Sequence, residues 1–190
     1  LSVVDKDGKN VFTMDKNKQP QGLFSQAIAG LLKTTPDFLS FYAPHSNSYR
    51  RLVHNADHAP TTLSWGNENR TALIRLPEAS AEATRLEFRV ASADSNPYLV
   101  FASVLASVYA GIQDKLPLDK ETIGNAHAQH PPSLGVTWRE AVEKTSVSSL
   151  VKDFFGEQFQ QCYKCVKESE IKRFESTITD FEYHSYLRCL

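Results

Sequence analysis

Apolar and polar residues alternate most strictly over residues 84–90, where Leu86, Phe88 and Val90 interleave with Arg85, Glu87 and Arg89. Strand side chains point alternately to two faces, so this segment predicts a β-strand with one apolar face. The other face carries two guanidinium groups around a carboxylate. A second β-rich segment, residues 69–77, precedes it, and the short polar connector 78–83 predicts that the two are antiparallel neighbours. Arg70 and Arg75 have opposite parity there, which places Arg70 in the loop before the strand or demands a bulge. Residues 1–13 read as strand and turn with Asp7-Gly8 at the bend. Residues 14–21 hold no periodicity and read as a loop.

Helical spacing appears at Leu23, Phe24, Ala27, Ile28, Leu31 and Leu32, predicting a helix over 22–33 that Thr34, Thr35 and Pro36 close. Residues 37–42 read as a short helical turn. Residues 43–69, with Pro44 and Pro60, read as an irregular stretch long enough to be functional. Within it Trp65, like Phe41 before it, is assigned to packing. Asn96-Pro97 predicts the cap and first position of a helix reaching about Gln113, and its apolar run, 98–112, reads as buried. Residues 114–136 read as a loop with His127 and His130 in solvent. Short helices follow at 138–145 and 149–155, and Gly156 breaks the pattern. A long helix from Glu157 to about Ser176 turns Phe159, Cys162, Tyr163, Val166 and Phe174 inward. Thr179-Asp180 caps a last helix through Tyr186. The fold class expected is α+β, an antiparallel β-sheet flanked by helices.

The chain has 190 residues, 41% hydrophobic and 23% charged, an ordinary globular composition. One domain of this length buries roughly 70% of the unfolded chain's surface. A formal net charge of −1 gives no ground for a nucleic-acid or anionic-membrane partner. No stretch approaches the roughly 20 apolar residues of a membrane span. Cys162, Cys165 and Cys189 are odd in number, and Cys162-x-x-Cys165 has only His184 near it as a further zinc ligand. Two half-buried thiols in a reducing, cytoplasmic compartment are therefore expected.

Arginine grips carboxylate and phosphate oxygens in pairs, and a carboxylate between two such grips can hold a divalent cation. Taken alone, residues 84–90 would suit a cross-strand salt-bridge ladder on an exposed sheet better. Their company changes the balance. In order, within about 55 residues, come Asn47-Ser48-Tyr49-Arg50-Arg51-Leu52, Ala59-Pro60, Asn69-Arg70-Thr71-Ala72-Leu73-Ile74-Arg75-Leu76-Pro77, Thr84-Arg85-Leu86-Glu87-Phe88-Arg89-Val90 and Asn96-Pro97-Tyr98-Leu99. This succession resembles the catalytic domain of the glutamine synthetase family, closely over residues 1–113 and loosely beyond.

The resemblance implies an ATP-dependent carboxylate–amine ligase that activates glutamate as an acyl phosphate. It implies that Glu87 ligates a divalent ion, Mg2+ or Mn2+. Arg51 and Arg89 would grip glutamate and the acyl-phosphate region, Arg70 the transferred phosphoryl group, and Arg75 and Arg85 the nucleotide. Asn47 and Tyr49 would shape the loop bearing Arg51. It also implies small-molecule substrates (glutamate, an amine and ATP), a cytoplasmic location and a homo-oligomeric ring with sites between subunits. Residues 1–190 would form the C-terminal portion of the catalytic domain. The N-terminal domain, the first part of the catalytic domain and the remaining metal ligands would lie upstream. Phosphoryl transfer is mostly positioning and charge stabilisation, which fixed arginines and a metal carboxylate supply.

The chain departs from the family at Val53-His54-Asn55-Ala56-Asp57-His58, one residue longer than in members that form glutamine. Those members carry a glutamate before Ala-Pro that takes a proton from ammonium. Here His58 stands in its place, with Asp57 beside it. That looks more like the branch joining glutamate to polyamines such as putrescine, and residues 174–187 are similar to the same branch. Glutamine synthesis with Asp57 as the base is one alternative. A catalytically inactive member with a structural role is another, and retention of Glu87 and the five arginines weighs against it. The segment where some members carry a regulatory tyrosine has none here between Tyr109 and Tyr163.

Overall fold

In the computed structural model, which describes residues 1–55, 59–187 and 189, the helix expected over 22–33 is a single 20-residue helix, α1 (Leu23–Tyr42), with Pro36 inside it. An interior proline forfeits a backbone hydrogen bond and costs about 3 kcal/mol. Beyond it Phe38, Leu39, Phe41 and Tyr42 are 0–2% exposed. Burying such side chains contributes roughly 1.5–3 kcal/mol each, so burial outweighs the break. Thr34 and Thr35 do not stop the helix either, because their hydroxyls donate back to the carbonyls of Gly30 (2.9 Å) and Leu31 (2.5 Å).

The polar stretch read as a loop before α1 holds a small antiparallel pair, β1 (Thr13–Met14) and β2 (Pro20–Gln21). The Asp15 side chain closes it by accepting from the Asn17 and Gln19 amides, both within 2.9 Å. The irregular stretch 43–69 also contains regular structure, a six-residue helix α2 (Ser46–Arg51) and a strand β3 (Trp65–Asn67). Neither has an apolar period long enough to read, and both are held by tertiary contacts.

β3 joins β4 (Ile74–Leu76) and β5 (Glu87–Phe88) in the order β3-β4-β5. β4 and β5 are antiparallel as the connector predicts, with Ile74 opposite Phe88 and Arg75 opposite Glu87, while β3 lies parallel to β4. Residues 84–90 alternate as read, with Leu86 and Val90 buried and Arg85 and Glu87 exposed. The segment is shared between two partners. Glu87 and Phe88 pair with β4, whereas Leu86 exchanges both backbone hydrogen bonds with Leu1 (2.9 and 2.8 Å).

α3 (Pro97–Gln113) begins where the sequence places it, with the Asn96 side chain accepting from the Tyr98 and Leu99 amides. It crosses α1 at two glycines. A Cβ on Gly30 would stand 2.2 Å from the Ser107 carbonyl oxygen, and one on Gly111 would stand 2.2 Å from that of Gln26. No other residue fits this approach. Thr34 Oγ1 and Ser107 Oγ stand 2.6 Å apart beside the crossing. The reading of α3 as fully buried fails on its far side. Tyr98, Phe101 and Leu105 are 82%, 67% and 62% exposed, since α1 covers one face only.

Downstream, a single turn α4 (Ala126–Gln129) interrupts the expected loop, and α5 (Trp138–Val147), α6 (Ser149–Phe155), α7 (Glu157–Glu175) and α8 (Asp180–Tyr186) follow close to their predicted bounds. Thr179 caps α8 as read. Phe41, Phe155, Phe159 and Tyr163 form an aromatic wall between α1 and the α6–α7 pair. The inward face of α7 differs from the sequence reading. Gln160, Lys167 and Ile171 are buried, while Cys162, Val166 and Phe174 are exposed. Gln160 Nε2 donates to the carbonyls of Thr145 (2.9 Å) and Ser148 (2.8 Å), and Lys167 Nζ to Pro44 O and Glu170 Oε2. Hydrogen bonds offset the cost of burying these polar groups, which an apolar count does not register. Cys162 and Cys165 are free and exposed rather than half-buried, and Cys189 is free and exposed as well. Among the described residues no helix is long and apolar enough to cross a membrane.

Candidate functional site

The sheet gathers charge at one edge. Arg75 and Glu87 stand opposite each other across the antiparallel pair, on the face away from the core. Arg75 Nη1 donates to Glu87 Oε2 (2.9 Å) and Nη2 to Glu68 Oε2 (2.7 Å). The salt-bridge ladder considered for this face is therefore present, and Glu68 is a member that sequence reading missed. Contact between residues 68 and 75 depends on β3 pairing parallel to β4 after the connection 68–73, and no local pattern announces that. The Arg75 guanidinium is held above its ordinary range by hydrogen bonds to Glu68 first and Glu87 second. The Glu68 carboxyl is held below its range by the bond to Arg75, then by the Glu78 amide.

Arg70 lies in the turn before β4, as its parity predicts, and is exposed. Asn69 fixes that turn. Its Nδ2 donates to the carbonyls of Thr122 (2.8 Å) and Gly124 (2.9 Å), and its Oδ1 accepts from the Thr71 amide and hydroxyl. Gly66 lets the 114–136 excursion approach, since a Cβ there would stand 2.6 Å from the Thr122 carbonyl oxygen. The turn and the excursion enclose an open cleft of about 480 Å³ that holds Glu68 and Arg70.

Arg89 Nη1 donates to the carbonyls of Arg70 and Ala72, so the residue just past β5 clasps the Arg70 turn. Burial pushes the Arg89 guanidinium down, Glu87 opposes that shift, and Arg75 and Arg70 add to it. Arg51, at the end of α2, donates through Nη2 to the Val90 carbonyl (2.6 Å) and to Ser92 Oγ (3.1 Å). Its Nε is buried without a partner among the described residues, and burial lowers its pKa. Both arginines remain charged at neutral pH. Arg85 is exposed and donates to the Ala83 carbonyl (3.2 Å). Arg70, Arg75, Arg89 and Glu87 are thus brought together, Arg51 is strapped to the segment leaving β5, and Arg85 lies at its entry. Asp57 and His58 lie outside the described residues.

His127 is half-buried rather than solvated. Its ring stands edge-on to His54 at 5.4 Å between centroids, and burial first, then His54, lowers its pKa. The contact joins the excursion to the segment leading into 56–58. His130 is also half-buried and shares a hydrogen bond with Thr122 Oγ1 (2.8 Å). A larger cleft, about 530 Å³, lies between α2, α5 and α7 and contains none of the candidate residues.

The donor set suits a hard divalent ion in part. Glu87 is half-exposed, and among the described residues its second oxygen has no hydrogen-bond partner. Oxygen ligands of this kind suit Mg2+ and Mn2+. Among the described residues no group of three or more His, Cys, Asp or Glu could complete a metal site.

The chain matches the profile of the family described as glutamine synthetase, catalytic domain, over residues 1–186. It is 33% identical over 182 residues to the γ-glutamylputrescine synthetase PuuA of Escherichia coli (strain K12), covering 96% of this chain and 38% of that protein. It is 35% identical over 191 residues to a type-1 glutamine synthetase of Dictyostelium discoideum, covering 97% and 36%. A γ-glutamylethanolamide synthetase of Streptomyces coelicolor is 34% identical over 182 residues, covering 96% and 38%. The chain thus spans less than two fifths of the length of these relatives.

Proposed function

We propose, since the chain belongs to the glutamine synthetase catalytic-domain family, that the protein it forms part of is an ATP-dependent ligase making a γ-glutamyl amide. The observation that carries this reading is the charged sheet edge, where Glu87 faces Arg75 and Arg89 clasps the turn bearing Arg70. Anionic groups must be held close together for this chemistry, the substrate carboxylate and the nucleotide phosphates, and permanent cations do that without titrating near neutrality.

In the reaction proposed, an oxygen of the glutamate γ-carboxylate attacks the γ-phosphorus of ATP, ADP leaves, and γ-glutamyl phosphate forms. An amine nitrogen then attacks the acyl carbon, phosphate leaves, and the nitrogen gives up a proton. Arg51 and Arg89 hold glutamate, Arg70 stabilises the phosphoryl group in flight, and Arg75 and Arg85 serve the nucleotide. Glu87 offers a ligand to Mg2+ or Mn2+, which when bound neutralises phosphate charge. Residues 1–190 form the C-terminal portion of the catalytic domain, the other metal ligands lie upstream, and the sites form between subunits of a homo-oligomeric ring. The protein works in the cytoplasm.

The amine proposed is larger than ammonia, with putrescine first. His58 stands where glutamine-forming members place a carboxylate, so ammonium loses its charge partner and a longer amine gains by comparison. The competing reading, that Asp57 is the base and the product is glutamine, is favoured by the glutamine synthetases among the similar proteins. Phosphate release by the full-length protein with glutamate, ATP and Mg2+ separates the two across ammonia, methylamine, ethanolamine, putrescine and spermidine. Putrescine is expected to give a higher kcat/KM than ammonia. The highest value for ammonia, abolished by Asp57→Asn, would establish the glutamine reading instead.

A further inference from the structure

Glu68 is bonded through both carboxylate oxygens. Oε2 accepts from Arg75 Nη2 (2.7 Å), and Oε1 accepts from the Glu78 amide. Its backbone is in the left-handed region, at φ +49°. A non-glycine residue stays there only when its surroundings over-determine it, and such residues cluster at functional sites. The other Arg75 nitrogen meets Glu87 Oε2 at 2.9 Å, and the Arg75 side chain is only 15% exposed. One guanidinium is thus shared between two carboxylates. The Glu87 oxygen that faces it is fixed in place, and the other is left for a ligand.

From this geometry we infer that Glu68 is a positioning residue for the divalent-ion site, acting through Arg75 to hold Glu87 ready to bind the metal. The inference rests on the reading of Glu87 as a metal ligand. The two carboxylates divide the one guanidinium between them, so Glu87 is held by only one of its nitrogens. If Glu68 is neutralised, that division ends. Arg75 then turns wholly to Glu87 and competes with the metal for it. Partners that orient a ligating carboxylate in this way commonly matter to affinity nearly as much as ligands do.

The test is Mn2+ binding to the full-length protein without nucleotide, followed by calorimetry or by the spin-resonance signal of free Mn2+. Glu68→Gln is expected to weaken binding roughly ten-fold while leaving the circular dichroism of the metal-free protein unchanged. In an Arg75→Met background the same substitution is expected to add less than about two-fold, because the residue through which it acts is gone. Undiminished affinity in Glu68→Gln overturns the inference. So does a full effect that persists beside Arg75→Met, since Glu68 would then ligate the metal directly. If Glu68→Gln does not fold, Glu68→Asp, too short to reach Arg75, is read by the same criteria. Glu87→Gln separates the two levels. If it leaves Mn2+ binding intact, the reading of Glu87 falls and this inference with it. If it abolishes binding while Glu68→Gln does not weaken it, only the role of Glu68 falls.

Discussion

At the scale of single residues, Asn69 shows how the candidate site is held. Its amide nitrogen serves two carbonyls of the excursion, and its oxygen serves Thr71. An aspartate has the same shape but no donor, and it would set a charged oxygen against the Thr122 and Gly124 carbonyls. Losing two hydrogen bonds and gaining that repulsion costs roughly 2–3 kcal/mol. Asn69→Asp is therefore expected to lower the unfolding free energy by that amount, read as a lower urea midpoint at unchanged slope, and to cut turnover by loosening the turn that carries Arg70. An unchanged midpoint would mean that the turn is held by other contacts. The position of Arg70 was legible from parity alone. Glu68 was not, although it lies two residues away, because its partner is brought to it by strand pairing.

At the scale of elements, legibility follows how local the cause is. The start of α3 was plain because Asn96 and Pro97 act on the next turn of chain, and the cap of α8 at Thr179 for the same reason. The continuation of α1 through Pro36 was not, because the burial that outweighs the proline comes from distant residues, Phe88 against Tyr42 and Phe155 against Phe38 and Phe41. The β3–β4 pair escaped notice because its partners are chosen by the fold.

The 114–136 excursion is tied down by Glu121, whose carboxylate accepts from the Asn67 amide (2.8 Å), Asn67 Nδ2 (2.9 Å) and Gln19 Nε2 (2.8 Å). Burial works to raise its pKa, but these bonds together outweigh that and hold it below the ordinary 4.5. A depressed carboxyl contributes stability above its unfolded pKa and loses it as pH falls through the folded one. The stability gap between the unaltered protein and Glu121→Gln is thus expected to be full at pH 7 and to close below about 4.5. Urea titrations at pH 7, 5, 4 and 3 measure it, and a gap that does not vary with pH would remove the carboxylate charge as its cause.

At the scale of the whole molecule, the apolar face of α3 and the short chain point the same way. Tyr98, Phe101 and Leu105 lie on one side of the helix with no cover among the described residues, and the chain spans 36–38% of its relatives. The 190-residue chain by itself is expected to bind a hydrophobic dye such as ANS and to show no ATP turnover with glutamate and any amine. The full-length protein is expected to bind far less dye per mole. Steady turnover by the isolated chain would place a complete site within it.

The crossing of α1 and α3 has a mechanical consequence. From Gly30 the first helix runs 12 residues, about 18 Å, to Tyr42 and on toward α2 with Arg51. From Gly111 the second runs back to Pro97, just beyond Ser92, to which Arg51 is strapped. Two arms therefore leave one pivot and carry the two ends of that strap. Because backbone meets backbone at the pivot, no side chain lies between them to compress or swing. The tips are pinned as well, since the Tyr42 carbonyl accepts from the Ser92 amide (2.8 Å) and the Ser95 hydroxyl (2.7 Å), so the frame that carries the strap is closed at both ends.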